Sequence, residues 1–215
     1  MHMKKVFSLL LIVMLFASIT AAQARTFDEI LGKFAQGSGV CVLYAHAMAV
    51  AETDPAAFEK LVTKTPNAWR VKLNDNKWSY VKDEEIQLSL KNGGSAGEPD
   101  NLLTIYCIGV CKRTGTFDYK NGSLEYGQDW MKLVGSGNWT LYDDGQTEGH
   151  HLKDGLERLE KITGPDGRPC IPCTVGFGWL DENTCPKYID QVNKVKLVGG
   201  HDFSVSRYDA KKRIV

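Results

Sequence analysis

The chain has no excess of charge of either sign, because 26 lysine and arginine residues balance 26 aspartate and glutamate residues. Proteins that bind nucleic acid usually carry a strongly basic surface. The balance therefore predicts a protein without a nucleic-acid partner. Apolar residues make up 43% of the chain and charged residues 24%, which excludes a wholly disordered protein.

After residue 20 the chain has no apolar run long enough to cross a bilayer. Before that point, two lysines precede an apolar stretch over 6–20, and the small-x-small sequence Ala22-Gln23-Ala24 follows. This order is typical of a secretory signal peptide. A retained anchor is the alternative, but the stretch would span only about 22 Å of a bilayer core of roughly 30 Å. We predict a signal peptide over 1–24, a mature chain over 25–215 without a membrane span, and a periplasmic or secreted location.

The common catalytic motifs are missing. There is no Gly-x-Ser-x-Gly elbow, no glycine-rich phosphate loop at the start of a helix and no His-Glu-x-x-His pair. His150 and His151 are adjacent, and on a strand their rings would point to opposite faces, so they are poor joint metal ligands. The sequence therefore gives weak support for an enzyme and predicts no catalytic residue, no metal and no cofactor.

Six cysteines follow the predicted signal peptide: Cys41, Cys107, Cys111, Cys170, Cys173 and Cys185. An even number of cysteines in an exported chain indicates disulfides, although their pairing stays open. Cys170-Ile171-Pro172-Cys173 has the spacing of a thiol redox motif, which needs its first thiol at a helix N-terminus. It follows a turn and precedes a segment that is a poor helix former, so a structural bridge is the preferred interpretation.

The pattern of apolar residues predicts a mixed fold. Short helices are expected at Thr26 with Glu29 in a capping box, at Asp54-Pro55, and over 152–162. Residues 69–80 alternate around Asn74-Asp75-Asn76 and predict a β-hairpin. Residues 40–51 are ambiguous between strand and helix.

Strands are expected to outnumber helices. Residues 86–90 alternate, residues 102–111 form a continuous apolar run typical of a central buried strand, and 117–142 suggests a meander. Two more β-like segments lie over 193–198 and 203–208. We predict one α+β domain over 25–215, built on a five- or six-stranded antiparallel sheet with helices against one face. The glycine-rich loop 91–100 is the best candidate for an internal boundary.

The last third of the chain contains several short motifs in a characteristic order. An aromatic strand runs into Asp143-Asp144-Gly145, a turn follows at 164–169, and Gly178-Trp179-Leu180-Asp181 and a hairpin over 195–208 come after it. In this order, residues 139–208 resemble the Cache family of extracytoplasmic sensor domains. The resemblance implies a PAS-like fold in the C-terminal half and a bound amino acid or small carboxylate.

The resemblance also implies a site. Tyr142 and Trp179 would form its apolar walls, Asp181 would accept hydrogen bonds from an ammonium or hydroxyl group, and Lys187 would pair with a carboxylate. The expected function is binding of a small ligand without catalysis. The protein would transmit this binding event to a separate signalling or envelope protein. The alternatives are a disulfide-stabilised protein–protein interaction module and a thiol–disulfide oxidoreductase that uses Cys170 and Cys173.

Overall fold

The computed structural model of the chain describes residues 24–34, 40–92, 97–139, 150–177, 201–209 and 211. The helices are Phe27–Leu31 (α1), Cys41–Thr53 (α2), Pro55–Leu61 (α3), Asp83–Lys91 (α4), Leu102–Thr114 (α5) and His150–Ile162 (α6), with a 3₁₀ turn at Trp130–Leu133. The strands are Val62–Lys64 (β1), Trp69–Lys72 (β2), Trp78–Val81 (β3), Thr174–Phe177 (β4) and His201–Ser204 (β5). The first three strands form an antiparallel sheet in chain order, and β4 pairs antiparallel with β5. The protein is therefore α+β, with helices beside antiparallel sheets.

The predicted starts of α1 and α3 are confirmed. The Glu29 amide donates to Thr26 Oγ1 at 3.3 Å, and the Thr26 amide donates to Glu29 Oε2 at 2.7 Å, which completes the capping box. Asp54 Oδ1 accepts from the Ala57 amide at 2.9 Å, with proline at the first helical position. Helix α6 is confirmed as well, and it begins two residues earlier than predicted.

The predicted hairpin is confirmed as β2 and β3. Arg70 lies opposite Tyr80, and Lys72 lies opposite Trp78. The turn between the strands places Asn76 in the left-handed region at φ 59°, a conformation that asparagine tolerates better than most residues. Local hydrogen bonding by asparagine and aspartate therefore ends one strand and starts the next.

The prediction of a buried strand over 102–111 is wrong, because these residues belong to helix α5. The Asn101 side chain caps the helix by accepting from the Thr104 amide at 3.0 Å, and Gly115 ends it in the left-handed conformation. Every residue from Leu102 to Cys111 is buried, so the helix is apolar on all sides and its sequence shows no helical period. A continuous apolar run is compatible with a helix that is buried on all sides as well as with a strand that is buried on both faces.

Three further expectations about strands are wrong within the described residues. Residues 86–90 lie in α4, where three acidic residues fill the first turn and Lys91 fills the last. Residues 130–133 form the 3₁₀ turn, and of the meander only a single bridge joins Phe117 to Leu124. The ambiguous stretch from 40 becomes α2. Among the described residues, a three-stranded and a two-stranded sheet are present in place of the expected five- or six-stranded sheet, and strands do not outnumber helices.

The main core lies between the helices α1 to α5 and the inner face of the three-stranded sheet. A smaller apolar cluster joins Leu159 of α6 to Val205 and Tyr208, which follow β5. Helix α2 belongs to the main core and also packs along β5. This helix therefore connects the two parts of the structure that matter for the site.

Candidate functional site

One face of α2 is turned toward β5. Cys41, Ala45, Met48 and Glu52 follow one another at helical spacings of four, three and four residues, so they share that face. At the C-terminal end of the face, Ser206 Oγ donates to Glu52 Oε2 at 2.9 Å. This hydrogen bond fixes which part of the β5 chain lies beside which turn of the helix.

The lengths of the two segments bring His201 to the level of Cys41. From Glu52 back to Cys41 the helix covers about 16.5 Å, and from Ser206 back to His201 extended chain covers about 17 Å. Because β5 packs along α2, the strand runs back beside the helix rather than away from it. Pairing with Phe177 of β4 holds the backbone of His201 in the sheet. The first residue of α2 and the first residue of β5 therefore lie at the same end of this interface.

The N-terminus of α2 suits an anion. Val40 at the N-cap provides no side-chain cap, and the first turn contains no acidic residue. The first hydrogen bond of the helix runs from the Tyr44 amide to the Val40 carbonyl at 3.1 Å. The three preceding amide groups have no acceptor within the helix, and the helix dipole favours negative charge beside them. The half-buried Cys41 carries its sulfur at this position.

The other cysteines on helices are placed differently. Cys107 and Cys111 lie in α5 and are buried. Burial raises the pKa of the Cys107 thiol and raises the pKa of the Cys111 thiol to about 12. Both thiols are therefore held protonated and are poor nucleophiles at neutral pH.

The histidine closest in sequence to Cys41 is not available as its partner. His46 is buried in α2, and its Nδ1 lies 2.8 Å from the Val42 carbonyl oxygen. Its ring packs edge-on against Trp139 at 4.2 Å and Trp130 at 4.9 Å. These contacts make His46 a core residue, whereas the backbone of His201 lies at the end of β5 that the packing on α2 brings to the Cys41 end of the helix.

The four predicted ligand contacts, Tyr142, Trp179, Asp181 and Lys187, all lie outside the described residues. The ligand pocket that they would form stays a prediction.

Cys170 and Cys173 lie in a loop before β4, as the sequence predicts, and neither begins a helix. No disulfide joins these two residues in the described structure. Cys185 lies outside the described residues, so the disulfide framework stays a prediction. Cys170 lines a cavity of about 240 Å³, together with Glu52, Arg168 and Ser206, at the C-terminal end of α2.

Sequence reasoning missed both Cys41 and His201. Two signals could have found them: the glycines at 37 and 39, which come shortly before Cys41 at the start of an apolar segment, and the two glycines directly before His201 at the start of a β-like segment. Glycine permits close approach of a ligand to the backbone. The two residues are 160 positions apart, and only the packing of β5 on α2 relates them.

No protein-family model, no curated protein and no solved structure matches the chain. Within the described ranges, no helix is both long enough and apolar enough to cross a membrane. In that same part of the chain, no three histidine, cysteine or acidic side chains are grouped so that they could hold a metal ion.

Proposed function

We propose that the protein is a thiol-dependent hydrolase or acyltransferase in which Cys41 is the nucleophile and His201 is the general base. The observation that carries this proposal is the alignment of β5 along the Cys41 face of α2, fixed by the hydrogen bond between Ser206 and Glu52. Cysteine and histidine, placed together at the N-terminus of a helix, are the usual components of cysteine-based acyl transfer.

Hydrolysis needs no component beyond an acyl substrate and water, and acyl transfer would use an amine or alcohol in place of the water. The imidazole of His201 takes the proton of the Cys41 thiol, and the thiolate attacks the carbonyl carbon of an amide or ester. The carbon–nitrogen or carbon–oxygen bond breaks, and the leaving group takes the proton back from the imidazolium. Water, deprotonated by His201, then cleaves the thioester and restores the thiol. The amide groups in the first turn of α2, which have no acceptor within the helix, are suited to hold the negative oxygen of each intermediate.

Redox chemistry at Cys170 and Cys173 has less support. A catalytic dithiol relies on a helix N-terminus to stabilise its attacking thiolate. Both residues lie in a loop, and burial raises the pKa of the Cys173 thiol.

Binding of a small ligand without chemistry is the competing proposal. It rests on the resemblance over 139–208, and it includes the PAS-like arrangement of the C-terminal half, export to the periplasm or medium, and a separate partner that receives the signal. It predicts a rise in melting temperature with an amino acid or small carboxylate, reduced by Trp179→Ala. It predicts no special reactivity of Cys41.

Selective alkylation separates the two proposals. The reduced mature chain is treated at pH 6 with less than one equivalent of iodoacetamide, and the modified cysteine is identified by peptide mass spectrometry. We expect Cys41 to react at least about tenfold faster than the exposed Cys170, because the proposed base His201 would take the proton of the Cys41 thiol. His201→Ala should remove this advantage, and the matched control His150→Ala should keep it. Equal rates at the two cysteines, or an unchanged rate in His201→Ala, would contradict the proposal.

A further inference from the structure

The outer face of the three-stranded sheet is open to solvent and aromatic. Helix α5 covers the inner face, where Gly109 lies against Val71. On the opposite face, Trp78 is 38% exposed and Tyr80 is 55% exposed, although both are large apolar side chains. Exposed aromatic residues grouped on one face of a sheet are typical of a surface that meets a partner.

Two cations lie beside these aromatic residues, on the neighbouring strand. Arg70 and Lys72 point to the outer face of β2, opposite Tyr80 and Trp78 respectively. The guanidinium of Arg70 lies 4.8 Å from the centre of the Trp78 ring, which holds it in one orientation. Its Nε is buried and has no hydrogen-bond partner in the described structure. The remaining guanidinium nitrogens form a pre-oriented fork that suits a carboxylate.

No described carboxylate neutralises these two cations. Acidic residues in the β2–β3 turn and in α4 are already paired: Asp75 lies 2.7 Å from Arg113, Glu85 lies 2.6 Å from Lys112, and Asp83 pairs with Lys64. Arg70 and Lys72 are alternate residues of one strand, so they are about 6.6–6.8 Å apart. Alternate residues of any extended peptide have the same spacing. The face therefore matches the charges of a peptide that is acidic at every second position.

We propose that the outer face of β1–β3 is a docking surface for an extended acidic segment of a partner protein. Carboxylates at alternate positions pair with Arg70 and Lys72, and the side of the segment packs over Trp78 and Tyr80. A nucleic acid or a sulfated polysaccharide fits less well, because two uncompensated cations neutralise only two charges of a polyanion and the whole chain is electrically balanced. The proposal does not depend on the chemistry at Cys41.

The test is peptide binding to the full mature chain. A fluorescein-labelled decapeptide of alternating glutamate and threonine is titrated by anisotropy up to about 1 mM, beside the same peptide with glutamine in place of glutamate. Arg70→Gln and Lys72→Gln should each weaken binding of the acidic peptide by about fivefold, the size expected of one exposed ion pair. Lys91→Gln and Lys161→Gln remove the same charge from exposed positions elsewhere, and they should leave binding within twofold of the wild type. Circular dichroism confirms that each variant is folded.

Binding that is specific for the acidic peptide and sensitive to Arg70 and Lys72 supports the proposal. Three results overturn it. The acidic peptide does not bind, or the Arg70 and Lys72 variants bind it as tightly as the wild type does. The third is that heparin or a single-stranded oligonucleotide binds this face more tightly than the acidic peptide. Trp78→Ala is a second test. If this variant binds the acidic peptide as tightly as the wild type, the peptide does not contact the aromatic residues of the face, and the proposal is wrong.

Discussion

Gly109→Ala tests how α5 packs on the sheet. A Cβ atom added at Gly109 would lie 2.8 Å from Val71 Cβ and 2.9 Å from both of its methyl groups. Val71 is fully buried between α5 and its neighbours, so neither element can move away without opening the core. The glycine is therefore required by close approach of the helix to β2.

Gly109→Ala has two effects of opposite sign on the free energy of unfolding. Alanine in a helix interior is favoured over glycine by about 1 kcal/mol, and overpacking a core costs roughly 1–3 kcal/mol. We expect Gly109→Ala to be neutral to destabilising by about 2 kcal/mol, and Val71→Ala alone to cost about 2 kcal/mol. In the double variant the new methyl group occupies the vacated space, so the loss should be smaller than the sum by about 1 kcal/mol. Urea unfolding of the reduced mature chain measures all three. A stabilising Gly109→Ala that adds simply to Val71→Ala would refute the packing.

Three further outcomes are expected. Because burial raises the pKa of Cys111 to about 12, its alkylation at pH 8 should be far slower in the native chain than in urea, and equal modification in both states would be inconsistent with this burial. Glu85→Gln should destabilise the protein by about 3 kcal/mol in thermal or urea unfolding, since the Lys112 side chain, only 14% exposed, would keep its charge without the buried Glu85 carboxylate; a loss below about 1 kcal/mol would count against the pair. In a chain that begins at Arg25, Glu59→Gln should cost roughly 0.5–1 kcal/mol in urea unfolding, because the Glu59 carboxylate accepts from the main-chain nitrogen of Arg25 at 3.1 Å and lies 3.4 Å from its guanidinium. N-terminal sequencing of the protein isolated from cells tests whether it begins at this residue.

Local signals in the sequence predicted the elements whose ends are determined by side chains. The capping box at Thr26, the Asp54-Pro55 start of α3 and the hairpin turn at 74–76 all depend on hydrogen bonds to nearby backbone groups. Helix α5 also has local end signals, the Asn101 cap and Gly115, but its apolar surface extends around the whole helix and hides the helical period. In α4 the alternation at 86–90 was misleading, although the acidic first turn from Asp83 was a helix signal that outweighs it.

The candidate site was harder to predict than the fold. Neither Cys41 nor His201 belongs to a short motif, and the chain between them forms most of the structure. Their relation depends on a tertiary contact, the packing of β5 along α2, which no local pattern encodes. In contrast, Cys170 and Cys173 form a Cys-x-x-Cys motif, which can be identified from the sequence alone. Its loop position removes the helix N-terminus that redox activity would need.

Trapping of an acyl-enzyme tests the central claim most directly. The reduced mature chain is mixed with p-nitrophenyl acetate, quenched with acid within seconds and digested, and the acetylated residue is identified by mass spectrometry. We expect one acetyl group on Cys41, loss of that adduct in Cys41→Ser, and acetylation slowed at least about 100-fold in His201→Ala. Acetylation spread over Cys41 and Cys170 alike, or unaffected by His201→Ala, would contradict the account.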